Sequence, residues 1–344
     1  MIDSREKGKA GRGWKLFVGE CRERLADVPA GSVQTCVTSP PYWGLRDYGV
    51  DGQIGLEETP DAFLAELVDV FRSVRRVLRD DGTLWVNMGD SYAGSVLTTD
   101  NVKALKGKQG TNRGTHGNGL HNKLGDGLKP KDLCGMPWRL AFALQADGWY
   151  LRSDIIWSKP NPMPESVTDR PTKSHEYVFL MTKRPRYFYD ADAVREPAQF
   201  GRRDGSCVES NMAAATTGSD ARPHHGIRKS ASVTGGDPST GRNRRTVWTI
   251  PTQPYSEAHF ATFPEALVVP CVLAGSREGD TVLDPFAGSG TTGKVAVELG
   301  REFIGCELNP AYADLAAKRI TNPKKWAVPG TPTVDPLPGQ GELF

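Results

Sequence analysis

Residues 281–292 have the sequence TVLDPFAGSGTT, and a helical run and the segment FIGCE at 303–307 follow them. The first four residues predict a buried strand that ends in Asp284, and the glycines after it permit a tight turn into a helix. A second acid, Glu307, closes the next strand about twenty residues later, where such an acid accepts hydrogen bonds from ribose hydroxyls. This pattern is typical of an adenosyl or dinucleotide site.

The kind of ligand follows from Asp284. The glycine spacing is not the G-x-G-x-x-G of dinucleotide sites, and a carboxylate beside the turn would repel a pyrophosphate. The Asp284 carboxylate favours instead a ligand that carries an amino group and a sulfonium. A strand-to-helix turn without any ligand is the alternative interpretation.

A second motif, Ser39-Pro40-Pro41-Tyr42, follows a strand predicted over 32–38, and ligands of α/β sheets bind at such strand ends. Two prolines hold the backbone rigid and leave carbonyl oxygens without competing amide donors, and Tyr42 offers a flat face for stacking. By itself the motif is also compatible with a simple rigid turn.

The rest of the chain alternates strands and helices, which predicts an α/β fold with a mostly parallel, covered sheet. A helix is expected to begin at Thr59 and Pro60 and to end at Asp80-Asp81-Gly82. Another helix is expected over 138–146, and strands over 14–18, 84–88, 151–157 and 177–181.

Two basic, glycine-rich segments interrupt this alternation, at 91–133 and about 196–246. Neither has enough large apolar residues to form a core, so both are predicted to be insertions or loops. Solvated surface loops without a ligand are the alternative.

The composition argues against a protein that spans a membrane or is secreted. The 344 residues include 43 Lys and Arg against 41 Asp and Glu, a net charge of +2, and 38% hydrophobic residues. The length suits one α/β core with insertions, and no run reaches the roughly 18 apolar residues of a membrane span. The six cysteines are scattered without zinc-finger spacing, so no metal site is predicted and a cytoplasmic location with reduced thiols is expected.

Together the two motifs resemble the beta class of DNA amino-methyltransferases that use S-adenosylmethionine. The resemblance extends from about residue 14 to residue 320. In that family a [DNS]-P-P-[YFW] motif is catalytic and a D-P-F-x-G-S-G-T motif binds the cofactor, and here both are present in the beta order, with the catalytic motif first. The resemblance implies a Rossmann-like methyltransferase sheet with one antiparallel strand, helices on both faces and basic loop insertions.

The resemblance also implies roles for individual residues. The Ser39 hydroxyl and the Pro40 carbonyl would accept hydrogen bonds from a base amino group, with Pro41 keeping the turn rigid and Tyr42 stacking on a flipped base. From their position after the central strand, Asn87 and Asp90 are further candidates for the same cleft, and polar loop residues that bind no ligand are the alternative. The cofactor is expected to contact Asp284, Phe286, Gly288, Ser289, Gly290, Thr291, Glu307, Phe263 and His259.

The first residue of the catalytic motif indicates the methylated base. Within this family Ser39 favours the N4 amino group of cytosine, and the N6 amino group of adenine remains the alternative. Pro270-Cys271 matches the nucleophile dipeptide of enzymes that methylate carbon 5 of cytosine, but the Glu-Asn-Val partner of those enzymes is absent, so Cys271 is predicted to be a buried core residue. Remote alternatives are an inactive DNA-binding module and a non-DNA substrate.

The family organisation divides the chain into a flexible N-terminus (1–13), a methyltransferase domain (14–322) and a Pro/Gly-rich tail (323–344). The domain contains a catalytic half (14–195), a target-recognition insertion (196–246) and a cofactor half (247–322). Double-stranded DNA is the expected partner, and a second copy of the chain and a separately encoded restriction nuclease are left open. The residues expected to contact DNA are Lys103, Lys106, Lys108, Arg113, Arg202, Arg203, Arg242, Arg244 and Arg245.

Overall fold

A computed structural model of the chain describes residues 4–9, 12–45, 49–93, 127–197, 241–253 and 263–321. Within these residues nine strands form one sheet, and six α-helices pack against it. No helix of the described residues is long and apolar enough to cross a bilayer.

The elements are as follows. The strands are β1 (Ser4–Lys9), β2 (Arg12–Val18), β3 (Val33–Thr38), β4 (Leu78–Met88), β5 (Tyr150–Ser158), β6 (His175–Thr182), β7 (Val247–Thr249), β8 (Thr281–Asp284) and β9 (Glu302–Glu307). The helices are α1 (Cys21–Ala26), α2 (Pro60–Val77), α3 (Met136–Ala146), α4 (Glu265–Gly275), α5 (Thr291–Glu298) and α6 (Pro310–Thr321).

The strand order is β1-β2-β9-β8-β3-β4-β6-β5-β7. Strands β2, β9, β8, β3 and β4 are parallel, and β6 runs antiparallel between β4 and β5. The predicted Rossmann-like sheet with an inserted antiparallel strand is therefore confirmed. A second antiparallel strand was not predicted: β1 pairs with β2 as a hairpin, although residues 1–13 were expected to be a flexible N-terminus.

Helices cover both faces of the sheet, as expected. Helices α1, α2 and α3 contribute residues such as Leu25, Phe63 and Leu140 to the core on one face. Helices α4, α5 and α6 contribute residues such as Leu267 and Val295 to the core on the other face. Because both faces are covered, all six residues of β3 are buried, which explains its almost uninterrupted apolar and β-branched sequence.

Helix α2 follows its sequence signals at the start but ends earlier than predicted. The Thr59 side chain accepts a hydrogen bond from the Ala62 N–H, and Pro60 occupies the first turn. The helix ends at Val77, where Leu78 adopts extended backbone angles. Strand β4 begins there and includes Asp80-Asp81-Gly82, the residues predicted to stop the helix.

Both basic insertions begin and end at paired backbone positions. Tyr92 and Leu133 form an isolated antiparallel bridge at the base of the first, and Glu196 and Arg242 form one at the base of the second. The residues that flank each insertion are therefore neighbours in space. Residues 94–126 and 198–240, which make up most of the two insertions, lie outside the described residues.

Candidate active site

The two motifs begin at neighbouring strand ends. Strands β3 and β8 are paired in parallel, with Thr35 opposite Val282 and Cys36 opposite Leu283. The segment Ser39-Pro40-Pro41-Tyr42 follows β3, and the Pro285–Gly290 loop follows β8. The Thr38 hydroxyl donates a hydrogen bond of 2.6 Å to Asp284 Oδ1 and ties the two strand ends together.

A cavity of about 830 Å³ opens between the two loops. This volume lies within the range of small-molecule sites. The predicted residues that line it are Ser39, Pro40, Pro41, Tyr42, Phe263, Phe286, Gly288, Ser289, Thr291 and Glu307. Catalytic and cofactor residues predicted from distant parts of the sequence are thus brought to one cavity.

Asp284 lies beneath the cavity and is not part of its lining. It is 1% exposed, and its Oδ1 accepts hydrogen bonds from Thr38 and from the Phe286 N–H. Burial raises the pKa of this carboxyl to about 6, although these hydrogen bonds act in the opposite direction. The Thr292 side chain also lies close enough to this carboxyl to lower its pKa.

Glu307 lines the cavity at the end of β9. Its Oε2 accepts from the Gly288 N–H at 2.8 Å and its Oε1 from the Asn309 N–H at 2.9 Å. Burial raises the pKa of this carboxyl, and hydrogen bonds from backbone N–H groups partly offset that effect. A carboxylate has about four acceptor positions, so Glu307 can still accept a hydrogen bond from a ribose hydroxyl. The site therefore fits an adenosyl group.

The glycine-rich loop is held from behind by helix α6. Gly290 has a φ of +80°, and a Cβ there would lie 2.9 Å from the Ala316 Cβ. Arg319 donates to the hydroxyls of Ser289 and Thr291 at 3.0 and 2.9 Å. Gly290 is thus required for the approach of loop and helix, and it supports the cavity without lining it.

Tyr42, which also lines the cavity, is fixed by a carboxylate. Its hydroxyl donates to Glu176 Oε2 at 2.8 Å, and the Asn87 side-chain amide donates to the same oxygen at 3.1 Å. Lys159 forms an ion pair with the other oxygen, Oε1. Burial and the nearby Glu176 raise the pKa of Tyr42 well above its usual range, so the phenol stays protonated as a donor.

A family model described as DNA methylase matches residues 33–318. The chain belongs to this DNA methylase family. The match includes both motifs and the strands that carry them, so the family predicted from the motifs is confirmed.

The relatives of this DNA methylase include several Type II methyltransferases. M.SmaI from Serratia marcescens is 48% identical over 309 residues, which cover 90% of this chain and 91% of the relative. M.Cfr9I from Citrobacter freundii is 48% identical over 308 residues, which cover 90% and 88%.

Solved structures confirm the fold. The PvuII DNA methyltransferase (cytosine-N4-specific) superposes with a TM-score of 0.58 at 18% identity and covers 90% of this chain and 86% of its own. TTHA0409 from Thermus thermophilus, complexed with S-adenosyl-L-methionine, has a TM-score of 0.55 at 27% identity and covers 92% and 95%.

Several residues that line the cavity of this DNA methylase were not assigned to the site from the sequence. Gly19, Glu20 and Cys21 line the cavity at the end of β2, and Glu176 and Lys159 line it beside Tyr42. The position of residues 19–21 directly after a strand could have indicated them. The pairing of Glu176 with Tyr42 could not be seen, because 134 residues separate the two in sequence.

The two further cleft candidates differ in position. Asn87 lines the cavity, as its place at the end of β4 suggested. Asp90 does not: its carboxylate accepts from the N–H groups of Gly135 and Met136 at 3.1 Å each and so caps the start of α3.

Of the arginines predicted to contact DNA, the three described ones lie outside the cavity lining. Arg242 and Arg245 both form ion pairs with Glu196, at 3.0 and 2.6 Å. Arg244 packs over the Trp248 ring at 4.5 Å, and burial lowers its pKa. Outside the described residues lie Lys103, Lys106, Lys108, Arg113, Arg202, Arg203 and the predicted cofactor residue His259.

Cys271 is placed where a structural cysteine was expected. It is 1% exposed on α4, its Sγ donates to the Leu267 carbonyl, and it is not among the cavity-lining residues. Burial raises the pKa of this thiol far above its usual range, so a reactive thiolate is disfavoured. The geometry gives no support to methylation of carbon 5 through Cys271.

Proposed function

We propose that this DNA methylase transfers a methyl group to the N4 amino nitrogen of a cytosine flipped out of double-stranded DNA. The observation that carries the proposal is the shared cavity: Ser39 and Pro40 line the same space as Gly288 and Glu307. A methyl donor held by the second pair would therefore face an amino group held by the first. Proximity and orientation of this kind can account for much of the rate.

S-adenosylmethionine is the cofactor of this family, and its sulfonium supplies the methyl group. TTHA0409, which is 27% identical to this chain, was solved with it bound. We propose that Glu307 holds the ribose hydroxyls, while Phe286, Phe263 and the Gly288 turn enclose the methionine part. Asp284 would fix the loop by accepting a hydrogen bond from the Phe286 N–H, and it would place a buried negative charge beneath the methyl donor.

The protein's part in the reaction is to make a poor nucleophile available. The lone pair of an exocyclic amino nitrogen is delocalised into the base ring. Acceptors at its two N–H groups, the Ser39 hydroxyl and the Pro40 carbonyl, localise that pair on nitrogen and orient it towards the donor. The N–CH3 bond would form as the S–CH3 bond of the sulfonium breaks, the donor would leave as a neutral thioether, and the amino nitrogen would release one proton to solvent. No covalent bond between protein and base is needed.

Ser39 supports cytosine as the base, because cytosine-N4 enzymes of this family usually have serine at this position. Adenine is the second candidate, since a hydroxyl can also accept from its N6 amino group. Incubation with unmethylated DNA and labelled cofactor, followed by digestion to nucleosides and mass analysis, decides between them. N4-methylcytosine supports the proposal, whereas N6-methyladenine would contradict the base assignment.

We further propose that the two basic insertions contact DNA. The lysines of 91–133 would bind phosphates and the arginines of 196–246 would contact base edges or phosphates. Each lost phosphate contact should reduce the slope of log affinity against log salt by about 0.9. The triple change of Lys103, Lys106 and Lys108 to alanine is therefore expected to flatten the slope by about three, and an unchanged slope would contradict the assignment.

We also propose that the protein modifies a specific DNA site and acts alongside a separately encoded restriction nuclease. The relatives M.SmaI and M.Cfr9I are named as Type II methyltransferases, which supports the modifying role. An inactive DNA-binding module is the competing proposal. It predicts cofactor binding without methyl transfer in the same assay.

A further inference from the structure

Glu176 brings together four separate segments at the wall of the cavity. Tyr42 follows β3, Asn87 lies in β4, Lys159 follows β5 and Glu176 itself lies in β6. All four line the cavity, and the first three each contact the Glu176 carboxylate. A single side chain thus connects the catalytic motif to the antiparallel part of the sheet.

The Glu176 carboxylate is itself held in place from two sides. The side chains of Glu176 and Lys159 are only 16% and 18% exposed, and the Lys159 ammonium also lies 4.4 Å from the centre of the Trp157 ring. The Asn87 amide is fixed in turn by a second hydrogen bond to the Tyr177 carbonyl at 3.1 Å. Removing a carboxylate from water is costly, so its placement here, with both oxygens bonded, indicates a task in the site.

Gly89 brings the backbone close to the same pair of side chains. A Cβ at this position would lie 2.8 Å from Tyr42 Cε2 and 3.2 Å from Glu176 Cδ. The Tyr42 ring therefore rests against the backbone on one side while its hydroxyl is bonded to Glu176. These two constraints fix both the plane and the tip of the ring.

We propose that Glu176 is a positioning residue for methyl transfer: through its hydrogen bond to the Tyr42 hydroxyl it holds the Tyr42 ring where the target base stacks. The inference rests on the proposed function, because it assigns Tyr42 to the base. Lys159 and Asn87 are the partners that keep the carboxylate in this orientation. Glu176 acts through Tyr42 and does not contact the reacting atoms.

A double-mutant cycle tests the inference, using Glu176→Gln, Tyr42→Phe and the double variant, with total methyl transfer to unmethylated DNA as the readout. Tyr42→Phe keeps the ring and removes the hydroxyl, and with it the bonds to Glu176 and to the Ser39 side chain. Each single variant is expected to lower kcat about tenfold with cofactor affinity unchanged, since a misplaced group costs rate and not cofactor binding. The double variant should lose little more than either single one.

Asp147→Asn is the matched control, because it makes the same carboxylate-to-amide change in the ion pair with Arg72 (2.7 Å), outside the cavity lining. It should retain wild-type kcat. Thermal unfolding of every variant shows whether the fold is kept.

Several results would overturn the inference. The first is wild-type kcat in Tyr42→Phe, whatever the result for Glu176→Gln. The second is a double variant in which the two losses multiply to about a hundredfold. The third is a Glu176→Gln variant whose main defect is cofactor binding. Transfer to adenine would contradict the proposed base and leave the cycle interpretable. No transfer to any DNA by the wild type would refute both proposals.

Discussion

Alanine at Gly290 and alanine at Gly288 are expected to damage this protein in different ways, although the two glycines belong to one motif. At Gly290 the φ of +80° costs an L-residue about 1–2 kcal/mol. The new Cβ would also lie 2.9 Å from the Ala316 Cβ and 3.0 Å from its Cα, so that α6 must move, at a further cost of about 1–3 kcal/mol. Gly290→Ala should thus lower the free energy of unfolding by about 2–5 kcal/mol.

Gly288→Ala is the matched control. Its φ of +52° carries a similar backbone cost, but the nearest atom to its Cβ is the Phe286 carbonyl oxygen at 3.9 Å, so stability should fall by only about 1–2 kcal/mol. Because Gly288 lines the cavity, its methyl group should weaken cofactor binding by about tenfold. Urea denaturation measures the first effect and calorimetric titration with S-adenosylmethionine the second. Equal stability of the two variants would refute the reasoning.

Three further changes test separate parts of the site. The pKa of the Asp284 carboxyl is about 6 in the folded protein against 3.8 for an unperturbed group, so the folded state binds the carboxyl proton more tightly than the unfolded state does. The free energy of unfolding without cofactor should therefore fall by roughly 3 kcal/mol as the pH rises from 3.8 to about 6. Urea midpoints of Asp284→Asn should lack this contribution, and parallel pH profiles of the two proteins would contradict it. Gly89→Ala should displace the Tyr42 ring and lower kcat about tenfold with unchanged cofactor affinity, and normal kcat in a steady-state assay would argue against the close packing. Cys271→Ala should keep methyl transfer and lose about 1 kcal/mol in thermal unfolding, whereas loss of transfer in a folded variant would restore Cys271 as a nucleophile.

The parts of the site that sequence predicted are those whose signal is local. Ser39–Tyr42 and the loop around Gly288 each follow an apolar strand, and strand ends are where α/β sheets bind ligands. Helix α2 was predicted because its capping residue and apolar spacing lie within one short segment. In each case the residues that form the structure are also neighbours along the chain.

The parts that sequence missed depend on distant partners. The bond between Glu176 and Tyr42 and the capping of α3 by Asp90 join residues far apart in sequence, and neither leaves a periodic pattern. The hairpin of β1 was missed because Ser4–Lys9 is polar and lies at the sheet edge, where pairing does not require apolar alternation. The early end of α2 was missed because Asp80-Asp81-Gly82, typical of a turn, is accommodated inside β4.

The pairing of β3 with β8 also has a consequence for how the protein is made. The two strands lie side by side at the centre of the sheet, yet Cys36 and its partner Leu283 are 247 positions apart along the chain. During synthesis on the ribosome β3 cannot pair with β8 until most of the polypeptide has been made, and such long-range pairing is slow to form. We therefore expect the nascent chain to acquire its cofactor only after residues 281–321 have been synthesised.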